Sequence, residues 1–444
     1  MLSNFGGALL LDAIVVSLCC VILVRFARLT FFHPAVMYIG FHLYTVTSRL
    51  LALFLGAPTM RTQWGFVDPD EIIRAALGCD LALIVVTIVW LVVTPRRQSE
   101  MQYSRPRTIR VLLPRPTRVI AWIAIAIGCF ALRYLVFSNS YDIARRHEDL
   151  GIWSASTWVT MTVTWVLQGL VLLHYVDGFR PIHTAITTIL LGATILASGR
   201  SPIIIWGIFL VLVYLLHKRL EWPTKWMWAM LLVFVVIWYP LKIIRNSINS
   251  GESISAAGQE AVDYTENSFR ESSGDTVFLD QMAVMMTQVD RYGSYFYGST
   301  VLPLLYTPIP RPWWPDKPAL NEYQYLLSTA DRPMAQNGQI ATLGGEGYAN
   351  FGWFGLLLYP ALMAFAYGKL CAKVQDYPKR SILLFFYIVS LPTVIMILRD
   401  GLIPLITAIA VGAMPMMLVI LAHLGIPNLE RKVYIIPNRG RVRA

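Results

Sequence analysis

Long apolar runs separated by short polar turns are the main pattern of this chain. About 20 apolar residues in a helix cross a bilayer core of roughly 30 Å. Eleven runs of that kind are present: 7–24, 35–56, 73–94, 118–137, 156–176, 182–199, 202–217, 226–244, 351–370, 381–398 and 402–422. We therefore predict an all-α polytopic membrane protein with about eleven transmembrane helices and one large external loop that contains short helices.

The composition excludes a soluble protein. Of the 444 residues, 56% are hydrophobic and only 14% are charged, whereas soluble domains carry roughly 25% charged residues. The net charge of +11 does not predict a nucleic-acid partner, because many of the basic residues lie in short turns that set membrane orientation. The five cysteines lie in apolar runs or beside a short basic loop, so disulfides are not expected.

The basic residues predict the orientation of the chain, because Lys and Arg accumulate in short cytoplasmic connections. Residues 95–118 hold seven arginines, and the tail from Arg431 to Arg443 holds four more. With both segments inside, eleven spans place the amino terminus outside. The first run has no basic segment before it and no cleavage site after it, so it is not a signal peptide. The predicted organisation is helices one to eight in 1–246, a large extracytoplasmic loop in 247–350, helices nine to eleven in 351–422 and a basic cytoplasmic tail in 423–444.

The external loop from Ser247 to Gly345 has eleven acidic and five basic residues, with no His and no Cys. No zinc site is expected within it, since zinc favours nitrogen and sulfur ligands. Its stretch TVFLDQMAVMMTQV is amphipathic and predicts a helix on the membrane surface. The stretch PIPRPWWPDKP cannot be helical, because prolines fix φ and lack a donor. Trp313 and Trp314 are expected either at headgroup level or against a sugar.

Ionisable residues inside spans are costly and mark function by default. Five of them fall within or at the edges of the predicted spans, and the topology places all five in the outer half. They are Asp12, Arg49, Arg74, Asp80 and Arg133. For Arg74 and Arg133, near helix ends, snorkelling to lipid headgroups is an equally good explanation.

Three further arginines lie in outer turns: Arg200 in SGRSP, Arg245 after the eighth span and Arg399 in LRDG. Snorkelling is again the structural alternative. These three arginines, however, come from three separate parts of the chain and are all predicted to lie at the same leaflet. A guanidinium matches phosphate oxygens bidentately, and the anion that lipid anchors at this face is a phosphate or diphosphate headgroup. We therefore expect these arginines to converge and to bind a polyprenyl diphosphate.

The second half of the chain resembles a known family. The string YGSTVLPLLYTPIPRPWWPDKP followed by GEGYANFGWFG, with SGRSP before it, resembles the long external loop and following helix of bacterial oligosaccharide repeat-unit polymerases, the Wzy-type O-antigen polymerases. The resemblance runs from about 197 to 401. The matching positions are Tyr297-Gly298, Ile309-Pro310-Arg311, Trp314-Pro315-Asp316-Lys317-Pro318, Glu346, Tyr348 and Asn350-Phe351-Gly352.

The resemblance implies a polysaccharide polymerase, a membrane glycosyltransferase of the GT-C superfamily. Such an enzyme acts in the bacterial inner membrane with its active site facing the periplasm. It transfers a growing glycan from undecaprenyl diphosphate onto a lipid-linked repeat unit in lipopolysaccharide biosynthesis. The implied partners are the undecaprenyl-diphosphate-linked oligosaccharide, membrane lipid, a Wzz-type chain-length co-polymerase and a flippase. No cofactor is expected, and arginines in place of a metal would stabilise the departing diphosphate.

The chemistry needs a base for the acceptor hydroxyl, and a carboxylate near the outer face suits that role. We expect Glu346, flanked by glycines, to be the base and Arg200 and Arg399 to be catalytic. The structural alternative is that Glu346 only forms an ion pair with an arginine. The other carboxylates that could act as the base are Asp290, Asp316 and Asp400. The expected substrate-binding residues are Arg245, Arg291, Arg311, Asp316, Lys317, Tyr297, Tyr348 and Trp314.

Three other functions remain open. A glycosyltransferase that uses a polyprenyl-phosphate sugar and a divalent cation would employ Asp68, Asp70 and Glu71 of FVDPDE. An O-antigen ligase differs from a polymerase only in its acceptor. A flippase for the same lipid-linked oligosaccharide is disfavoured, because transporters place polar groups near the midplane and the charges here are predicted near one leaflet.

Overall fold

The computed structural model describes thirteen parts of the chain: 2–27, 29–62, 65–94, 114–137, 155–197, 200–218, 220–229, 278–302, 306, 314, 342–376, 381–402 and 414–424. They are almost entirely helical. The helices are α1 (Leu2–Phe26), α2 (Pro34–His42), α3 (Ser48–Phe54), α4 (Pro69–Val93), α5 (Pro114–Phe137), α6 (Ala155–Asp177), α7 (Pro181–Ala197), α8 (Arg200–Lys218), α9 (Phe278–Tyr292), α10 (Leu343–Asp376), α11 (Ser381–Ser390), α12 (Thr393–Asp400) and α13 (Met414–Leu424). A π-helical segment, Leu43–Thr47, joins α2 to α3, and β1 (Arg61–Thr62) pairs with β2 (Gly65–Phe66) as a small antiparallel hairpin.

Six helices in the described part of the chain are long and apolar enough to cross a membrane. They are Asn4–Phe26, Pro34–Phe54, Pro69–Val93, Arg115–Tyr134, Leu343–Val374 and Leu383–Asp400. Two shorter apolar helices are Pro181–Leu191 and Ile205–Lys218. The predicted α-helical, multi-pass character is confirmed, and the count of eleven stays a prediction. Most of the predicted spans 226–244 and 402–422 lies outside the described residues.

Capping accounts for the acidic string at the start of α4. The side chain of Asp68 accepts a hydrogen bond from the amide of Asp70 at 3.0 Å, and Pro69 occupies the first helical position. Asp70 and Glu71 follow in the first turn, where negative charge is favoured by the helix dipole. A helix start of this kind needs no metal ion to explain its carboxylates.

The N-cap of α2 is a buried histidine, His33, which lies outside the helices that can cross a membrane. Its Nδ1 accepts from the amide of Ala35 at 3.1 Å, and its ring meets Trp90 edge to face at 5.7 Å. Burial lowers the pKa of His33 from 6.5 to about 4. The folded protein therefore holds this ring neutral at a pH where the unfolded chain would protonate it.

We expect the stability of the protein to fall as the pH drops from 6.5 to about 4. In that window the unfolded state binds a proton that the folded state excludes, which costs at most about 3 kcal/mol. Asparagine is a good N-cap that does not titrate, so His33→Asn should flatten this part of the profile. Apparent melting temperatures of the two purified proteins across the window provide the measurement. Parallel profiles for the two proteins would contradict the assignment.

Helix α10 contains a sharp break that divides it into two arms. Phe351 and Gly352 have non-helical backbone angles, and Gly352 has a φ of 61°, a conformation that glycine adopts without strain. The arms cross closely at Gly347 and Gly355, where a Cβ on either residue would overlap the carbonyl group of the other. We name residues 343–350 the short arm. It carries Glu346, Tyr348 and Asn350, and the remainder of α10 is the long arm.

Helix α9 is not the surface helix that its amphipathic pattern predicts. Its first nine residues, 278–286, are all buried, packed against α4, the π-helical segment and α10. Its methionines join an apolar core that includes Leu50 of α3, Ile72 of α4 and Tyr348 of the short arm. The prediction is wrong because the polar residue at its start, Asp280, faces a buried partner, Arg49, rather than water.

Candidate functional site

A buried ion pair fixes α9 among the other helices. Arg49 donates from Nε to Oδ1 of Asp280 at 2.7 Å and from Nη2 to Oδ2 at 2.8 Å. The amide of Met60 donates to the same Oδ2 at 2.7 Å, and Nη2 of Arg49 also donates to the carbonyl of Pro58 at 2.8 Å. Both side chains are buried. This bidentate pair determines where the exposed end of α9 lies.

At the exposed end of α9, three polar side chains from three helices form a closed triangle. Nη1 of Arg74 lies 2.7 Å from Oδ2 of Asp290, and Nη2 donates to the hydroxyl of Tyr348 at 2.7 Å. That hydroxyl donates to Oδ1 of Asp290 at 2.8 Å. The side chains of Arg74 and Asp290 are 31% and 37% exposed. Nη1 of Arg74 also donates to Oε2 of Glu71 at 3.3 Å. We name Arg74, Asp290 and Tyr348 the Arg74 triangle; its guanidinium and its carboxylate are both partly exposed.

Aromatic rings surround the Arg74 triangle. The guanidinium of Arg74 lies 5.7 Å from the ring centre of Tyr348 and 5.6 Å from that of Trp353. Tyr295 meets the ring of Tyr348 at 6.4 Å and that of Tyr297 at 6.2 Å, both edge to face. Tyr297 is 73% exposed. Tyr348 is itself buried, whereas Tyr295 and Trp353 are each 38% exposed. The exposed rings present flat apolar faces on which a sugar can stack, beside a cation and a carboxylate that can bind its hydroxyls.

The loop that carries Tyr297 is held by the short arm. The amides of Phe296 and Tyr297 donate to the carbonyls of Ala349 and Asn350, and Gly298 donates to Oδ1 of Asn350 at 2.8 Å. Tyr297 has a φ of 47°, which a residue other than glycine adopts only when its surroundings enforce it. The short arm therefore places the tyrosines of this loop beside Asp290.

Glu346 lies in the same short arm but faces inward. Its side chain is fully buried; Oε1 accepts from the hydroxyl of Thr300 at 3.1 Å and Oε2 from the amide of Leu402 at 2.9 Å. Nδ2 of Asn350 completes the network by donating to Thr300 and to the carbonyl of Glu346. A sugar hydroxyl does not reach this carboxylate. The geometry assigns Glu346 a positioning role, because it joins α9's loop, the short arm and the end of α12.

Arg399 lies at the end of α12, three residues before the amide that Glu346 binds. Its Nε is 3.5 Å from Oδ1 of Asp400 and its side chain is 25% exposed. Its guanidinium lies 5.9 Å from the ring centre of Phe278, the first residue of α9. Arg74 and Arg399 are thus linked through α9 and the short arm, one at each end of α9.

The structure brings some of the expected site residues together and leaves others untested. Glu346, Tyr348, Tyr297 and Arg399 belong to one connected region, and Arg291 is exposed beside Asp290 at the end of α9. Trp314 meets Tyr306 edge to face at 5.8 Å. Arg245, Arg311, Asp316 and Lys317 lie outside the described residues, and for Arg200 only the backbone at the start of α8 is described. The convergence of Arg200, Arg245 and Arg399 therefore stays a prediction.

The Arg74 triangle joins residues that the sequence does not place together. The sequence suits Arg74 to a lipid headgroup as well as to a ligand, and it offers Asp290 as an alternative to Glu346 as the base. What the sequence lacks is the contact with Tyr348, which lies 274 and 58 residues away from them.

A second polar cluster lies deep among the helices. Nε2 of His42 in α2 is 2.7 Å from Oδ1 of Asp12 in α1 and 3.4 Å from Oδ1 of Asp80 in α4. All three side chains are buried. Asp80 lies near the midpoint of Pro69–Val93, which begins four residues before the apolar run from 73. That it lies in the outer half of the membrane stays a prediction.

The resemblance that the sequence suggests has no independent support from comparison with known proteins. No family model matches this chain, and no curated protein or solved structure matches it either.

Proposed function

We propose that this chain is a membrane glycosyltransferase that extends a glycan held on undecaprenyl diphosphate, working at the periplasmic face of a bacterial inner membrane. One observation carries the proposal: the Arg74 triangle holds a partly exposed cation and a partly exposed carboxylate side by side, next to aromatic rings. Glycan transfer from a lipid diphosphate needs these groups: a positive charge for the leaving group, a base for the acceptor and flat faces for sugars.

In the proposed reaction Asp290 acts as the base. An acceptor hydroxyl bound at its exposed edge loses its proton to the carboxylate as the hydroxyl oxygen bonds to the anomeric carbon. The bond between that carbon and the diphosphate oxygen breaks, and its electron pair leaves with undecaprenyl diphosphate. The hydroxyl of Tyr348 donates to Asp290, and the guanidinium of Arg74 lies beside it. These two contacts orient the carboxylate. The products are a lipid-linked glycan longer by the transferred chain and free undecaprenyl diphosphate.

Arginines would stabilise the departing diphosphate in this scheme. Arg74 presents donors at the triangle, and Arg399 lies at the other end of α9 with a quarter of its side chain exposed. Charge-assisted hydrogen bonds to phosphate contribute about 1.5 to 3 kcal/mol each. Glu346 supports both arginines indirectly. Its hydrogen bonds to Thr300 and Leu402 hold the loop after α9 and the end of α12 in position.

Reconstitution tests the proposal. The purified full chain is placed in liposomes with undecaprenyl-diphosphate-linked repeat units, and product length is read as a ladder on a gel. We expect products of several repeat units without any added protein. In a second set of liposomes that also contain a lipid core acceptor, transfer only to that acceptor would indicate the ligase instead. Folded protein that produces no elongation from these substrates would contradict the polymerase proposal.

A flippase for the same lipid-linked oligosaccharide is the second candidate, and one observation favours it. The cluster of Asp12, His42 and Asp80 lies deep among the helices, where transporters place polar groups. The same liposomes separate the two functions. A flippase carries labelled repeat units across the bilayer without changing their length, whereas the polymerase lengthens units that are supplied on one side only.

A further inference from the structure

The cluster of Asp12, His42 and Asp80 contains two buried carboxylate oxygens without a hydrogen-bond partner in the part of the chain that the structure describes. One imidazole nitrogen, Nε2 of His42, faces two carboxylates. A proton on that nitrogen serves Oδ1 of Asp12 at 2.7 Å. Oδ2 of Asp12 and Oδ1 of Asp80 have no hydrogen-bond partner among the described residues, although both atoms are buried. A buried carboxylate oxygen without a donor is costly, so the cluster is incomplete as a hydrogen-bond network.

We propose that Asp12, His42 and Asp80 form a binding site for one divalent transition-metal ion of the Zn²⁺ class. Their donor atoms all lie within 4.8 Å of one another. Zinc bonds of about 2.0 to 2.2 Å in tetrahedral geometry place neighbouring donor atoms about 3.3 Å apart. The observed separations of 2.7 and 3.4 Å from Nε2 lie close to that value, so small side-chain movements admit the ion.

A divalent ion would balance the charge of the site. Two ionised carboxylates in an apolar interior carry two negative charges, and burying such charges without compensation costs several kcal/mol per ion. A neutral imidazole and one divalent cation bring the net charge of the site to zero. Imidazole nitrogen together with carboxylate oxygen is a ligand set suited to Zn²⁺ and its neighbours rather than to Ca²⁺ or Mg²⁺.

A cavity of about 50 Å³ lies beside the site. It is lined by one proposed ligand, His42, and by Cys79, Phe278, Gly344 and Leu398, but not by Asp12 or Asp80. A water molecule needs roughly 10 to 15 Å³, so the cavity has room for water next to His42.

The position of the site indicates what the ion would do. It would join α1, α2 and α4, whose side chains supply the ligands. The π-helical segment Leu43–Thr47 begins directly after His42, and single π turns inside helices occur frequently at functional sites. The ion would hold this irregular segment against α1 and α4, and its removal would loosen their packing.

The test uses the purified full chain in lipid nanodiscs, stripped with chelator, supplied with Zn²⁺ and dialysed. We expect one zinc per chain by mass spectrometry and a higher melting temperature than the stripped protein. X-ray absorption should show only nitrogen and oxygen neighbours at about 2.0 to 2.1 Å. Asp12→Asn and Asp80→Asn should each weaken zinc binding at least a hundredfold. Asp70→Asn, an exposed carboxylate of the same helix α4, should retain the ion.

Several results would overturn the proposal. If the folded wild-type protein takes up no zinc, the proposal is wrong and the two carboxylates share a proton instead. Sulfur neighbours in the absorption spectrum would mean that the free cysteines, such as Cys19 or Cys79, bind the ion. Zinc binding unchanged in folded Asp80→Asn would also refute the site. Should both variants fail to fold, the absorption spectrum of the wild-type protein still decides between these ligand sets.

Discussion

Asp290→Asn is expected to reduce glycan elongation by about 10² to 10⁴ fold, the usual contribution of a general base. The amide keeps the shape of the carboxylate and still accepts from Tyr348, but it cannot take a proton from the acceptor hydroxyl. The side chain is 37% exposed, so the substitution should not destabilise the fold. Initial rates of ladder formation at several substrate concentrations provide the measurement, and the loss should appear in kcat rather than in KM.

The matched control for this prediction is Asp70→Asn. Asp70 is an exposed carboxylate in the first turn of α4, one turn from Arg74, and it has no contact with the Arg74 triangle among the described contacts. It should elongate glycans at close to the wild-type rate. Loss of activity in Asp70→Asn but not in Asp290→Asn would instead support the divalent-cation-dependent glycosyltransferase that the string FVDPDE suggests.

The membrane helices were predictable because their signal is local. Helices that face lipid or an apolar core need uninterrupted apolar runs, and the runs 7–24, 35–56 and 73–94 match α1, the α2 to α3 segment and α4 within a few residues. The first residue of a helix is harder to predict from such a run. The polar turn Pro69 to Ile72 already belongs to α4, although the apolar run begins only at residue 73.

Pairings across the sequence were not predictable from the same pattern. An Asp in the first turn of an amphipathic stretch resembles the polar face of a surface helix. Only the buried contact between Asp280 and Arg49, 231 residues away, turns α9 into a core helix. The same holds for Glu346, whose glycine neighbours suggest an open site. In the structure one of those glycines, Gly347, serves the close crossing with Gly355.

The cluster around His42 illustrates a signal that sequence reasoning left unused. Asp12 and Asp80 were recognised as ionisable residues within spans, and each needed a partner. His42 lies within the apolar run between them, and His is the residue that most readily pairs with a buried carboxylate or a metal. The sequence could have nominated all three residues. It could not give the distances that bring both carboxylates to one nitrogen.

Removing one member of the Arg49 and Asp280 pair should have the largest effect on stability of any substitution considered. Asp280→Leu leaves a buried guanidinium with the carbonyl of Pro58 as a remaining partner, and Arg49→Met leaves a buried carboxylate with only the amide of Met60. Breaking a buried ion pair in this way costs about 3 to 5 kcal/mol. We expect both single variants to show sharply lower melting temperatures and reduced folded yield by size-exclusion chromatography.

The double variant Arg49→Met with Asp280→Leu distinguishes the effect of losing the ion pair from the effect of losing side-chain packing. It replaces both charges by apolar side chains of similar volume, which often restores stability. It should therefore melt above either single variant. Arg118→Met is the control: the Arg118 side chain is 42% exposed, and its partner Asp177, 6% exposed, keeps Arg180 within 3.9 Å, so this substitution should cost less than breaking the buried pair. If Arg49→Met and Arg118→Met melted alike, the pair would not be what fixes α9, and the position of Asp290 would need another explanation.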